Sequence, residues 1–356
     1  MGNRLDDQSS NSRLSRRKRK TGHKKWRKFA VVAACIIGVL LAGSGAYAYH
    51  IYHSVQTAAN KMYHPVNHEK SAAKPAKTKP VKSKKDGHAR PISILLMGVD
   101  QRPHDVGRSD TLIVLTLNPK NNKMQMISIP RDTRVEIPGH GMQKINAAYA
   151  YGGPGLTMKT VRNFLDVPLD YYIRINMQGL EELVDAVGGI KVYNTLSWHD
   201  EGYYKKGYFY HKGWLHMNGP QTLGFVRMRH QDPRGDFGRN QRQRKVIQAI
   251  VDKASGVSSF SHYQDILDAI SNNVITDMTF SDMKYVAMNY RDCRKHIKSY
   301  EVDGTPQRID GLSYVVVSDE EVNKVHNMIL DQLGHPQEVN KGSGSGHSTE
   351  NAASAQ

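Results

Sequence analysis

The sequence predicts an α/β domain with a central mixed sheet flanked by helices, preceded by one transmembrane helix. Three observations carry this. Short apolar runs of strand length interleave with helical patterns across 91–333, as in a sheet covered by helices. An uncharged apolar run, Phe29–Tyr52, precedes them. The sequence around both is basic, Lys/Pro-rich or Gly/Ser-rich, with too few apolar residues to fold.

The 356 residues thus divide into a basic leader (1–28), an anchor (29–52), a linker (53–90), a domain (91–333) and a disordered tail (334–356). The anchor, FAVVAACIIGVLLAGSGAYAYHIY, is long enough for a helix across roughly 30 Å of hydrocarbon. Tyr47, Tyr49 and Tyr52 sit at its far end, where amphipathic rings settle at headgroup depth. Arg13–Lys28 is densely basic, so the positive-inside rule puts the N-terminus in the cytoplasm. The expected location is the cell membrane, single-pass, with the domain extracytoplasmic. Ala46-Tyr47-Ala48 also suits a cleaved signal peptide, and either reading exports the domain. The linker contains KPAKTKPVKSKK and reads as an extended tether.

The net charge of +17 invites a nucleic-acid reading that its distribution opposes. Met1–Lys28 holds 11 Lys/Arg against 2 Asp/Glu, and His50–Arg90 holds 9 against 2. What remains of the chain is close to neutral, so no nucleic-acid partner is expected. Cys35 and Cys293 are the only cysteines, which excludes a disulfide framework and a Cys-based zinc site.

The domain opens with strands at Ile92–Met97, Thr111–Leu117 and Met124–Ile129, the last two joined by the turn 118–123. Helices are expected at Gly155–Leu165 and Met177–Val187, and a short strand at Ile190–Val192. An aromatic excursion (Trp198–Trp214), a strand at Leu223–Met228 and a helix at Arg239–Ala254 follow. Further helices are expected at Tyr263–Asn272 and Ser281–Tyr290, then a strand at Ile297–Val302. A last helix spans Ser318–Leu333, with Ser318 and Glu321 at capping-box spacing.

Laid out as a meander, the first three strands bring Asp100, Arg108, Asp110 and Arg131 to one sheet edge. Two carboxylates there suit a hard cation such as Mg²⁺ that shares phosphate oxygens; singly, each could be a turn or cap residue. Alternation along Gly224–Arg229 places Phe225, Arg227 and Arg229 on one face, a costly like-charge pair unless an anion lies between them. The apolar stripe Val246, Ile247, Ile250 continues backwards through Gln243, Arg239 and Asp236, which puts polar groups on an inward helix face. Together these residues form either a phosphate cradle or a salt-bridge network of Arg227, Arg229 and Arg239 with Asp232 and Asp236. Lys144 and Asn146 precede the turn Gly152-Gly-Pro-Gly155, a weak phosphate-loop signal. His199, His211, His216 and His230 show no metal-ligand spacing, and no nucleophile elbow or Walker motif is present.

At these residues the sequence resembles the LytR-CpsA-Psr family of cell-envelope phosphotransferases. The resemblance rests on LLMGVD, RSDTLIVLTLNP, SIPRDT, KINAAYAYGGP, LVDAVGGIKV and FVRMRHQDPRGDFGRNQRQRK, in that order. It implies a deep apolar pocket for a polyprenyl chain with a charged mouth. Asp100 and Asp110 match the family's magnesium-site aspartates. Arg108, Arg131, Arg227, Arg229, Arg239 and Gln243 match its pyrophosphate-contacting side chains, and Lys144 and Asp236 match further polar residues at the mouth, of which Lys144 is expected to bind the pyrophosphate too. Thr222-Leu-Gly224 departs from the usual pattern, with no catalytic consequence.

The expected reaction moves a phosphate-linked anionic glycopolymer, of teichoic acid or capsule type, from a polyprenyl pyrophosphate carrier to peptidoglycan, with Mg²⁺ as cofactor. Arg131, Arg227, Arg229, Asp236 and Arg239 would be catalytic, with Asp236 a candidate base. The alternatives are a polyprenyl-pyrophosphate hydrolase, or a non-catalytic lipid-phosphate or wall-binding regulator of envelope genes.

Overall fold

The computed structural model describes residues 22–66, 89–100, 106–254 and 263–334, with side chains from Cys35 onward except that of residue 36. Most of the leader, residues 67–88 of the expected tether, and the tail beyond Gly334 lie outside the described residues. The chain divides into two compact units, Met1–Gln56 and Thr57–Gln356.

Helix α1 (Gly22–Met62) contains the expected anchor. Among the described residues no helix is long and apolar enough to cross a membrane; the side chains of 29–34 lie outside them. The described part leaves Val39, Leu40 and Leu41 about 70% exposed (72%, 66% and 67%). The helix continues through the first ten residues assigned to the linker. Its end is tied down: Ala58 and Ala59 are buried, Lys61 bonds the Asn272 side chain, and Tyr63 bridges Thr276.

The domain is a six-stranded mixed sheet between helical layers, as expected. The meander of β1 (Ile92–Val99), β2 (Ser109–Asn118) and β3 (Lys123–Ile129) forms its centre. The sequence reading missed β6 (Tyr171–Asn176), which pairs parallel with β1, and β11 (Val274–Thr276), which closes that edge. Strand β12 (His296–Glu301) pairs parallel with β3 at the other edge. A two-stranded hairpin, β4 (Arg134–Ile137) with β5 (Gly141–Lys144), follows β3.

On one face of the sheet, Leu95, Met97, Val99, Leu112, Val114, Ile127 and Ile129 pack against α2 (Ala147–Leu165) and α8 (Asp319–Leu333). Helix α2 starts earlier than expected: one turn precedes a kink at Gly152 and Gly153, and the remainder runs from the Gly-rich turn. Helix α8 is capped by Ser318, which accepts from the Glu321 N–H; Glu321 itself bonds Asp303 and Tyr300, so the capping box is only half formed.

A second core joins α3 (Met177–Ala186), the sheet pair β7 (Ile190–Asn194) and β10 (Gly213–Met217), α4 (Gly219–Arg227) and α5 (Asp236–Ala254). Between β7 and β10, the aromatic excursion folds as β8 (Trp198–His199) paired with β9 (Phe209–Tyr210). The remaining elements are α6 (Tyr263–Asn273), α7 (Phe280–Asn289) and the hairpin β13 (Thr305–Ile309) with β14 (Leu312–Val316).

Residues 223–227 are helical, not the expected strand, and Met228 caps the helix end. Asn218 accepts from the Gln221 N–H, Gln221 bonds back to the Asn218 N–H, and Pro220 sits in the first turn. A full capping box and an early proline nucleate α4 before the alternating residues are reached.

Candidate active site

The meander delivers its charges as laid out. Asp100 follows β1, Asp110 opens β2, and Arg131 stands two residues past β3. Arg131 lies 3.1 Å from Asp110, and Asp236 at the start of α5 lies 3.5 Å from Arg131 and 3.2 Å from Arg239. Arg227, in the last turn of α4, reaches Asp100 at 2.8 Å. Arg229 lies beyond that helix end and donates to His230. The alternation argument for Arg227 and Arg229 therefore fails, yet both line the same cavity. Met228 is extended (ψ 136°), which turns the chain between them.

Three cavities stand in a row across the end of the sheet. The first is a small apolar slot of about 50 Å³ between the sheet and α3, α4 and α5, lined by Leu96, Gly98, Ile175, Leu180, Val246 and Ile247 among others. Through Met177, Val226 and Gln243 it adjoins a cavity of about 200 Å³ that holds Arg131, Arg227, Arg229 and Arg239. Asp100, Asp110 and Arg131 form the wall to a third, polar cavity of about 350 Å³, completed by Arg108, Asp132, Lys144 and Asn146.

The electrostatics of the middle cavity are those of a site awaiting an anion. Burial depresses the Arg239 pKa; Asp236 offsets this in part, while Arg131 and Arg229 add repulsion. Burial also opposes the Arg131 charge, but Asp110, Asp236 and Asp132 outweigh it and raise its pKa. Buried polar atoms with neither a hydrogen-bond nor an ion-pair partner line the two polar cavities: Arg239 Nε and Gln243 Oε1 at the middle one and Asn146 Oδ1 at the outer one. Such atoms cost about 1–3 kcal/mol each when left unsatisfied, so their grouping marks a ligand position.

The proposed salt-bridge network does not close. Asp232 turns away to a second arginine cluster, bonding Arg242 at 2.6 Å and Arg234 at 3.3 Å. The donor set fits magnesium only together with phosphate. Two carboxylates and the unpartnered Asn146 oxygen are hard ligands, but no group of three or more His, Cys, Asp or Glu with metal-holding geometry exists among the described residues.

A model of the LytR_cpsA_psr family matches residues 49–330. The chain belongs to the LytR-CpsA-Psr family. A relative from Bacillus anthracis (strain CDC 684 / NRRL 3495), named polyisoprenyl-teichoic acid–peptidoglycan teichoic acid transferase TagU, is 43% identical over 300 residues, 84% of this chain and 95% of its own. The crystal structure of Bacillus subtilis TagU superposes with a TM-score of 0.56 at 40% identity, covering 68% of this chain and 97% of that one. A structure of TagT bound to LIIa-WTA gives 0.62 at 29% identity, covering 76% and 98%.

In this LytR-CpsA-Psr domain the two polar cavities gather nine of the predicted site residues, and Asp236 bonds to two of them. They do not form one cluster. Arg108 and Lys144 line only the outer cavity, with Asp100, Asp110 and Arg131 between them and Arg227, Arg229, Arg239 and Gln243. Sequence reasoning missed Asp132, which pairs with Lys144 at 2.8 Å, and Tyr203, whose ring lies 5.9 Å from the Arg227 guanidinium. Asp132 adjoins Arg131 in SIPRDT and could have been read there; Tyr203 sits in the aromatic excursion and carries no local signal.

Proposed function

We propose that this chain transfers a phosphate-linked anionic glycopolymer from a polyprenyl pyrophosphate to peptidoglycan, with its domain on the outer side of the cell membrane. The carrying observation is the junction of an apolar slot with an arginine-lined cavity, one for a lipid chain and one for its pyrophosphate. The names of the TagU relatives support the same donor and acceptor classes. The slot must widen to take a long chain, and α3 and α4, which border it, are the elements to move.

Arg131, Arg227, Arg229 and Arg239 would spread over the phosphate oxygens and neutralise charge as the bond to the leaving polyprenyl phosphate breaks. Gln243 would orient the pyrophosphate at the slot's mouth. Asp236 holds Arg131 and Arg239 in place, which favours an orienting role over that of base. A bound Mg²⁺, held by Asp100 and Asp110, would supply further charge neutralisation. Their arginine partners would then be released to the phosphates.

The uncharged run in α1 and its exposed Val39, Leu40 and Leu41 support a membrane anchor. Protease added to intact protoplasts should digest the domain and spare the leader; a protected domain would overturn this topology. Turnover is tested with the full chain in detergent, a lipid-linked glycan, a wall-glycan acceptor and Mg²⁺. Asp100→Asn and Asp110→Asn should each cut metal-dependent transfer by about two orders of magnitude. Release of free glycan phosphate without transfer would make the protein a hydrolase, and no turnover at all would favour a binding role.

A further inference from the structure

We propose that Glu201 and His230 form a positioning relay, built on the first turn of the aromatic excursion, that aims Arg229 into the middle cavity. This rests on the transfer reading above and deepens it by naming what directs one of its charges. The arginines of that cavity are not held alike. Asp236 lies 3.5 Å from Arg131 and 3.2 Å from Arg239, and Asp100 lies 2.8 Å from Arg227. Arg229 makes no ion pair among the described residues. It follows the extended Met228 beyond the end of α4, and Arg239 repels it. A long side chain so placed gains entropy by swinging into solvent.

Two bonds oppose that. Arg229 Nε donates to His230 Nε2 at 3.1 Å. With Nε2 accepting, the ring proton sits on Nδ1, which donates to Glu201 Oε2 at 2.9 Å. A carboxylate placed directly on Arg229 would compete with phosphate for the guanidinium. A neutral ring fixes the direction without cancelling the charge, and the bond through Nε leaves the terminal amino groups to a phosphate.

Glu201 is itself held. Its neighbour Asp200 is 3% exposed, and the Asp200 Oδ2 accepts the N–H groups of Gly202, Tyr204 and Lys205 at 3.1, 2.9 and 2.8 Å. The Asp200 backbone bonds those of Gly207 and Tyr208, which closes the turn. Gln231 staples this turn to the loop that carries His230. Its Nε2 donates to the His199 carbonyl at 2.7 Å and to Glu201 Oε1 at 3.3 Å, and its Oε1 accepts from the His199 N–H at 3.2 Å. The same turn sets the Tyr203 ring 5.9 Å from Arg227, in the lining of the cavity. One small turn thus serves both arginines at the end of α4. A histidine whose side chain is 61% exposed would pass for a surface residue; its place between Glu201 and Arg229 gives it a task.

The experiment is a double-mutant cycle on the full chain in detergent, read as donor kcat/KM for transfer with Mg²⁺ and a wall-glycan acceptor. With Arg229 present, His230→Ala should cut donor kcat/KM about ten-fold and Glu201→Ala about three-fold. With Arg229→Gln already in place, each should cost less than about two-fold more, because the target of the relay is gone. His230→Gln, whose amide oxygen stands in for Nε2, should recover much of the loss. His230→Asn, whose shorter amide reaches only Glu201, should not. Thermal melts check that each variant folds. Equal losses with and without Arg229 would make the pair a plain structural contact and overturn the proposal, and so would full activity of His230→Ala. Wild-type protein inert toward the donor would refute the transfer reading instead. The same cycle is then read as stabilisation by geranylgeranyl pyrophosphate in thermal melts, and additive effects there would overturn the relay as well.

Discussion

Helix α5 carries two buried arginines three residues apart that live in opposite circumstances. Arg242 is saturated: it bonds Asp232 at 2.6 Å, the carbonyl oxygens of Phe225 and Met228, and lies 5.3 Å from the Trp198 ring. Arg239 is as deeply buried, 5% exposed like Arg242, but its Nε has no partner and its neighbours include Arg131 and Arg229. Burial depresses both pKa values. One cluster is finished by the chain itself and the other is left for a ligand to finish. The lesson is that burial of charge does not distinguish structure from site; the accounting of hydrogen bonds does.

The finished cluster holds the loop that aims the unfinished one. Arg242 grips the end of α4, from which Arg227 and Arg229 project, and Asp232 grips the turn into α5. Asp232 packs so closely on Gly238 that a Cβ there would lie 1.8 Å from its Oδ2.

The largest effect is expected from breaking this clamp. Arg242→Met leaves the buried Asp232 carboxylate only the half-exposed Arg234 as counter-charge and should cost about 3 kcal/mol, read as a clear fall in melting temperature with or without ligand. The pair also sets an acid limit. Burial alone would raise the Asp232 pKa, but the Arg234 N–H, Arg242 and the Arg234 side chain lower it below the ordinary 3.8. Its contribution is therefore present above pH 3.8 and lost as pH falls through the lower folded value. Melting curves of Asp232→Asn should lack that part of the acid loss. An unchanged Arg242→Met melt would erase the distinction between the clusters.

Arg239→Gln should act in the reverse sense. Transfer falls by about 10²–10³, the scale for removing a charge stabiliser from the reacting centre. Stability shifts by less than about 1 kcal/mol, because lost repulsion offsets the lost Asp236 contact. A large loss of apo stability would place Arg239 with the structural cluster.

The smallest effect on stability is expected at Arg229, which makes no ion pair among the described residues. Arg229→Gln should leave the apo melting temperature unchanged or slightly raised. It should weaken stabilisation by a polyprenyl pyrophosphate. A large apo loss with undiminished ligand stabilisation would remove Arg229 from the cradle.

Much of the site was legible because its supports are local. The meander β1-β2-β3 is built from consecutive apolar runs, so its edge residues Asp100, Asp110 and Arg131 could be placed together. Helix periodicity likewise put Asp236, Arg239 and Gln243 on one inward face, and all three are at the site. The stretch 223–228 misled because a run of six residues, Leu-Gly-Phe-Val-Arg-Met, suits either period. The signal that decided it lay upstream, in Asn218, Pro220 and Gln221. Strand β6, YYIRIN, went unseen because its place between β1 and β11 comes from partners distant in sequence.

The sequence by itself determined the α/β class, the meander and the identity of the charged residues, since each follows from patterns a few residues long. Only the tertiary structure decided how those charges divide. Lys144 went to Asp132, Asp232 to Arg242 and Asp100 to Arg227, while Arg239 was left short of partners. Pairing depends on which side chains meet across the fold, and a carboxylate 127 residues from its arginine leaves no local trace of the choice.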